Sequence, residues 1–346
     1  MIFNPYDDQT FWGFLFLFLT RVKELIMGQL PISQLASDEI QVFVLAGLSA
    51  SCALLGTFLV LRRMTMLANS LSHTILMGIV FAFLWHQSHP SQTFSQTDHL
   101  EMIPMPLLLI AALIMGFITV FLTEFLTKVG RLQEDASIGL VFTSLFALGI
   151  VLLTIWMRDA HIGTEAVMGN VDALHVDDLK WVFIIFFTNL TLCWLFFKEF
   201  KITTFDPALA AALGYSPIWF NYLLMAQVST TAIGSFRAVG AILVLAFLTA
   251  PVLAARLLTH DLKKMLQGAI GLGVGASLLG VALTRHILTV YGAALSTSGI
   301  VVCVLVSLYI GVLVFSWICK IDYKNNLIRR GEYQKLDKDK SFDALK

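Results

Sequence analysis

The sequence contains no GxxxxGKS/T segment, so it has no loop of the kind that cradles nucleotide phosphates. It also lacks HExxH and GxSxG, the patterns of a zinc protease and a serine hydrolase, and nothing in it reads as an enzyme. Charge is scarce: Asp, Glu, Lys and Arg make up 13% of the 346 residues, where a soluble domain carries about 25%. Acidic and basic residues balance at 23 each, which leaves no basic surplus to draw the chain to nucleic acid. The four cysteines, Cys52, Cys193, Cys303 and Cys319, stand singly in or beside apolar runs, with no CxxC pair, and read as small apolar packers. The opening MIFNPYDDQT is acidic, and no small-residue cleavage site follows it, which argues against a cleaved signal peptide.

What is present in excess is hydrophobic sequence, 58% of the chain, with a mean hydropathy of +0.81. Apolar runs of the length that crosses a bilayer fall at about 40–61, 64–86, 104–127, 136–157, 181–198, 218–236, 238–258, 266–284 and 298–319. These predict an all-α integral membrane protein, a polytopic bundle of about nine transmembrane helices, because lipid satisfies no backbone amide and the runs lack barrel-strand alternation. Three regions follow: 1–39, an N-terminal segment in which 11–27 reads as an interfacial amphipathic helix, with a tenth span as the alternative; 40–319, the membrane domain; and 320–346, a charged cytoplasmic tail.

Orientation comes from the basic residues. With the 62–63 turn inside, the inner set is 62, 63, 128, 131, 198, 201, 256, 263, 264 and eight more after residue 319, while 21, 23, 158, 180, 237 and 285 fall outside. The outer loop 87–102 holds His89 and His99 near Asp98 and Glu101 and reads as a solvated loop. Within the spans Glu124 is the only acid, close to an inner end where it snorkels. A carrier coupled to protons or sodium ordinarily keeps such groups deep in its helices.

One polar cluster lies at depth. His73 is ten residues beyond Arg63, about 15 Å into the membrane at 1.5 Å per residue. Asn69 is one helical turn earlier on the same face, with Ser72 beside them. A neutral imidazole with a weak amide oxygen suits a divalent metal that must be released. The same residues serve equally well as hydrogen-bonding glue between helices.

The run from Leu59 to Gly78, LVLRRMTMLANSLSHTILMG, resembles the membrane subunits of metal-type ABC importers, whose pattern is a basic pair, a turn, Asp-x-x-Ser-His and a Gly five residues on. Ser72, His73 and Gly78 match; Asn69 stands where Asp is common, which removes a carboxylate role there, and Met77 where Pro is frequent. Residues 131–153, RLQEDASIGLVFTSLFALGIVLL, are similar to the family's Glu-Asp turn entering a helix, which Asp135 would head as an N-terminal cap. FDPALAAALGYS at 205–216 and VGAILVLAFLTAPVLAARLL at 239–258, with Pro251 inside a span, complete the match over roughly residues 40–319.

The resemblance implies a fold like that of the vitamin-B12 and siderophore type of ABC importer permease. It implies a permease subunit of an ATP-driven importer of manganese, zinc or iron in the bacterial inner membrane. A second permease copy, identical or paralogous, separate cytoplasmic ATPase subunits and an extracytoplasmic metal-binding protein would be its partners, and the transported ion takes the place of a resident cofactor. His73, Asn69 and Ser72 would meet the metal. His260, Asp261, Lys263 and Lys264, in the polar stretch LLTHDLKKMLQG, would occupy the coupling helix that meets the ATPase, although positive-inside residues need no partner. Gly271 and Gly275 have small-xxx-small spacing, read first as packing within one subunit. A permease for a metal chelate and a stand-alone secondary metal carrier are the alternatives.

Overall fold

Each of the nine apolar runs folds as a helix in the computed structural model, which describes residues 5–6, 9–28, 31, 34–88, 105–156 and 171–329. The elements are α1 (Phe11–Ile26), α2 (Ser37–Leu61), α3 (Thr65–Ser88), α4 (Met105–Lys128), α5 (Glu134–Trp156), a 3-10 turn (Val171–Ala173), α6 (Val176–Leu195), α7 (Phe197–Phe205), α8 (Pro207–Ala212), α9 (Pro217–Val239), α10 (Ala241–Leu258), α11 (Leu262–Tyr291) and α12 (Thr297–Arg329). Among the described residues seven helices are long and apolar enough to cross a membrane, lying in α2, α4, α5, α6, α10, α11 and α12. The other two expected spans are α3 and α9, helices of 24 and 23 residues, each about 35 Å long. The outer loop 87–102 falls outside the described residues from His89 onward.

Helix α2 is the central post. Of its 25 residues 20 are buried, and it packs against α6, α9, α10 and α11. A helix apolar on every side asks for this position, since no polar stripe marks a face for water. Small residues permit the close approaches. A Cβ at Gly56 would fall on the Leu248 carbonyl oxygen of α10, and one at Gly273 of α11 on the Ser49 hydroxyl of α2. The α10 helix runs through Pro251 without ending, as membrane helices tolerate when neighbours surround the break.

Around this post, α3 packs between α4 and α5, and α12 lies on α10 and α11. The outward rows of α4, α5 and α12, among them Phe117, Phe121, Phe125, Val151, Ile155, Val306, Ile310 and Trp317, are exposed and apolar, as a lipid-facing shell requires. Cys52 and Cys193 are buried packers as expected; Cys303 is exposed on α12, and the Cys319 side chain lies outside the described residues. Helix α12 continues ten residues past the predicted end of the membrane domain, to Arg329, so the start of the charged tail is helical.

Helix α1, the segment read as an interfacial amphipathic helix, packs one face on the bundle. Its Phe14 and Phe18 are buried, Phe18 meets Phe43 of α2, and Tyr6 packs on Phe14. Its opposite face, with Trp12, Phe16 and Leu19, is exposed and apolar. Arg21 pairs with the buried Glu39 at the start of α2, which also accepts from the Tyr6 hydroxyl at 2.8 Å and from the Ala36 amide at 2.9 Å. Arg285 near the end of α11 reaches Asp38 at 3.8 Å and the Tyr6 carbonyl at 3.3 Å. Burial and the neighbouring Glu39 carboxylate raise the Tyr6 phenol well above its usual range.

Candidate functional site

Two regions carry the polar and exposed features that the sequence reading singled out: the middle of α3 and the inner connections. Asn69, Ser72 and His73 all lie on α3, with 69 and 73 one turn apart, and the side chains of all three lie outside the described residues. Thr74 is buried and its hydroxyl meets that of Thr119 on α4 at 3.1 Å. A Cβ at Gly78 would sit 3.0 Å from the Met115 side chain and 3.3 Å from the Ala111 carbonyl of α4, and one at Gly149 of α5 would sit 3.3 Å from the Met77 amide nitrogen. Gly78 therefore has a structural reason: it lets α4 seat against α3 one turn beyond His73. Position 73 itself is one turn before Met77, where α5 approaches.

Among the described residues no group of three or more His, Cys, Asp and Glu is placed to hold a metal ion. The deep polar contacts that are described use neutral side chains. Asn189 of α6 donates to Ser51 of α2 at 2.7 Å and to Thr231 of α9 at 2.6 Å, all three buried. Gln227, one turn before Thr231, is buried with neither side-chain amide atom hydrogen-bonded. The sequence reading passed over these residues, and a polar side chain inside an apolar run was the available signal. Glu124 does more than snorkel: it accepts from the Tyr222 hydroxyl of α9 at 2.9 Å and lies 3.7 Å from Lys128.

At the connection from α10 to α11, His260, Asp261, Lys263 and Lys264 are exposed together. They form no helix of their own. Residues 259–261 are a short connection, and Lys263 and Lys264 occupy the first turn of α11, whose amide at Lys263 is capped by the Asp261 carboxylate at 3.2 Å. Asp135 likewise lies inside the first turn of α5, exposed, rather than at the cap position. A Cβ at Gly271 or Gly275 would meet no atom beyond its own stretch of helix within 4 Å among the described residues, so close packing within the subunit falls to Gly273 and to Gly280, which abuts Val301 of α12.

The separate short helices are α7 and α8, on the same side of the bundle because one span, α9 or α10, returns the chain in each direction between them and residues 259–261. Asp206 caps α8 by accepting from the Leu209 amide at 2.9 Å, and Pro207 opens it, a start signal legible in FDPALAAALGYS. Phe200 of α7 is fully buried between Phe58 of α2 and Phe220 of α9, at ring separations of 5.3 and 5.7 Å. Beyond that anchor Phe205, Leu209, Leu213, Tyr215 and Trp219 are all exposed. Lys198, Glu199 and Lys201 of α7 are charges of the kind found at a membrane surface, and beside them the exposed side chains form an apolar patch.

The model of the ABC 3 transport family matches residues 39–316. A protein of Chlamydia muridarum named "Probable metal transport system membrane protein" is 39% identical over 310 residues, covering 90% of this chain and 94% of its own. The manganese transport system membrane protein MntD of Bacillus subtilis is 37% identical over 271 residues, 74% of this chain and 86% of its own. Among solved structures, PsaBC from Streptococcus pneumoniae in complex with Fab shares the fold with a TM-score of 0.66 at 23% identity, over 84% of this chain and 95% of the matched one.

Proposed function

Because this chain belongs to the ABC 3 transport family, we propose that it is the membrane-spanning permease of an ATP-driven importer that carries manganese, zinc or iron inward across the bacterial inner membrane. The observation that carries the metal reading is the pair of relatives named for metal and manganese transport, each matched over most of its length. The architecture supports the same role. A bundle with a lipid-facing shell, almost no acid in its spans and no nucleotide loop has neither a coupling carboxylate nor a phosphate cradle of its own. Energy then comes from separate ATPase subunits on the inner side.

Two inner features face that partner: the exposed residues 260–264 at the head of α11, and the exposed apolar patch on α7 and α8. A patch of this kind on the aqueous side fits a protein contact better than water. The ion arrives from an extracytoplasmic binding protein. His73, with Asn69 and Ser72, meets it near the midplane. A second permease copy related by an axis along the membrane normal would bring two such helices to one path, and ATP binding would rock the pair between outward and inward access.

The test is uptake of radiolabelled manganese and zinc into vesicles containing the permease assembled with its ATPase. Wild-type uptake requires ATP, and His73→Ala abolishes it while leaving assembly intact. Uptake by wild type without ATP would overturn the ATP-driven reading, and wild-type rates in His73→Ala would remove His73 from the path.

A further inference from the structure

Helix α2 ends at Leu61, and the chain turns through Arg62 and Arg63 into α3. The Arg62 guanidinium points to α7. Its Nε donates to Thr204 Oγ1 at 3.0 Å and its Nη2 donates to Thr203 Oγ1 at 2.8 Å. Thr203 in turn donates its hydroxyl proton to the Glu199 carbonyl at 2.8 Å, so it offers Arg62 a lone pair. No carboxylate lies within ion-pair distance of Arg62 among the described residues. Burial pushes the guanidinium down to about 10, which leaves it charged at neutral pH.

A partly desolvated cation held by two neutral hydroxyls gains little from Coulomb attraction. What the planar fork supplies is geometry, two donors fixed relative to each other against two successive residues of one helix. The turn that follows is equally fixed. Arg62, Arg63 and Met64 return their amides to the carbonyls of Phe58, Val60 and Leu59 at 3.0, 3.2 and 3.0 Å, and Arg63 sits at φ 60, in the left-handed region that non-glycine residues enter only when held. Asp206 alone separates α7 from α8. A hydrogen-bonded path therefore runs from α8 through α7 and Arg62 to the end of α2, and the tightly held turn 62–64 joins that end covalently to the first residue of α3.

We propose that Arg62 is a positioning residue that passes displacement of the α7–α8 pair to helix α3, and so ties events at the inner docking face to the helix that carries His73. This rests on the importer reading given above. It assigns Arg62, Thr203 and Thr204 a role that neither the metal nor the ATPase need touch.

The experiment uses the complete permease–ATPase complex in vesicles and measures ATP hydrolysis and manganese uptake on the same preparation. Arg62→Met removes the fork; the double variant Thr203→Val with Thr204→Val removes both acceptors at nearly constant shape. In both, assembly, thermal stability and hydrolysis stay near wild type while manganese moved per ATP falls by about tenfold. Arg62→Lys, able to reach one hydroxyl at a time, recovers part of that ratio. A wild-type ratio in either assembled variant overturns the proposal, as does a parallel fall of hydrolysis and uptake that preserves the ratio. Loss of assembly or stability in the double valine variant also overturns it, by making the contact a folding element. Failure of the importer reading is seen separately, in wild-type vesicles that take up manganese without ATP.

Discussion

At Gly56 the space for a side chain is already taken by backbone. A Cβ there falls on the Leu248 carbonyl oxygen, and a carbonyl in the middle of α10 cannot swing aside as a flexible side chain can. Gly271 is the opposite case, exposed on α11 with no atom within 4 Å. Gly56→Ala should therefore lower the stability of the purified protein by about 1 to 3 kcal/mol through overpacking, whereas Gly271→Ala should leave it unchanged or raise it slightly through helix propensity. Thermal unfolding in detergent separates the two, and equal melting temperatures would show that α2 and α10 do not approach as closely as the structure has them. Gly78 shows how much of this a sequence reveals. Its place in the motif was legible, but the reason for it, the approach of Met115 and Ala111, needed α4 in position.

Helix α1 illustrates what hydropathy misses at the level of an element. The stretch has apolar residues followed by Arg21, Lys23 and Glu24, which reads as an interfacial amphipathic helix. The structure gives Arg21 a partner, Glu39, on the next helix, and buries two phenylalanines beneath α1. Periodicity carries no trace of a pairing 18 residues away, nor of Arg62 reaching Thr203 and Thr204 across more than 140. The spans were legible because a run of apolar residues is a local property. The short helices α7 and α8 were legible only as a motif, since their exposed face becomes evident when Phe200 is seen to anchor them.

The ionic cluster under α1 predicts its own behaviour. Glu39 is almost fully buried and serves Arg21, Tyr6 and the Ala36 amide at once, while Arg21 keeps partial exposure. Glu39→Ala strands a half-buried cation and frees the first turn of α2, at a cost of about 2 to 3 kcal/mol, below the full penalty for a wholly buried pair because water reaches Arg21. Asp177→Asn, which breaks an ion pair to Lys180 exposed at both ends, should leave the melting temperature unchanged. Limited proteolysis near residue 28 adds a local readout: faster cleavage in Glu39→Ala marks release of α1, and unchanged cleavage with a lowered melting temperature places the loss elsewhere.

For the molecule as a whole, the order of helices and the placement of basic residues must agree on one orientation. Counting crossings from the Arg62 turn puts residues 129–133, α7, α8 and residues 259–261 on one side, and the ends of α9 and α11 with the start of α6 on the other. Basic residues 62, 63, 128, 131, 198, 201, 263 and 264 fall on or beside the first side, and 180, 237 and 285 on the second. The bias then makes the first side cytoplasmic. A cysteine placed at Gln133 or Lys264, both exposed, should react with a membrane-impermeant maleimide only after the cells are opened, whereas one at Leu295, exposed in the connection from α11 to α12, should react in intact cells. Cys52 and Cys193 are buried, and the labelling is done with Cys303 and Cys319 replaced by serine so that only the introduced thiol reports. Labelling of Lys264→Cys from outside would invert the molecule, placing the apolar patch of α7 and α8 where no cytoplasmic ATPase can reach it, and the importer reading would fall with the orientation.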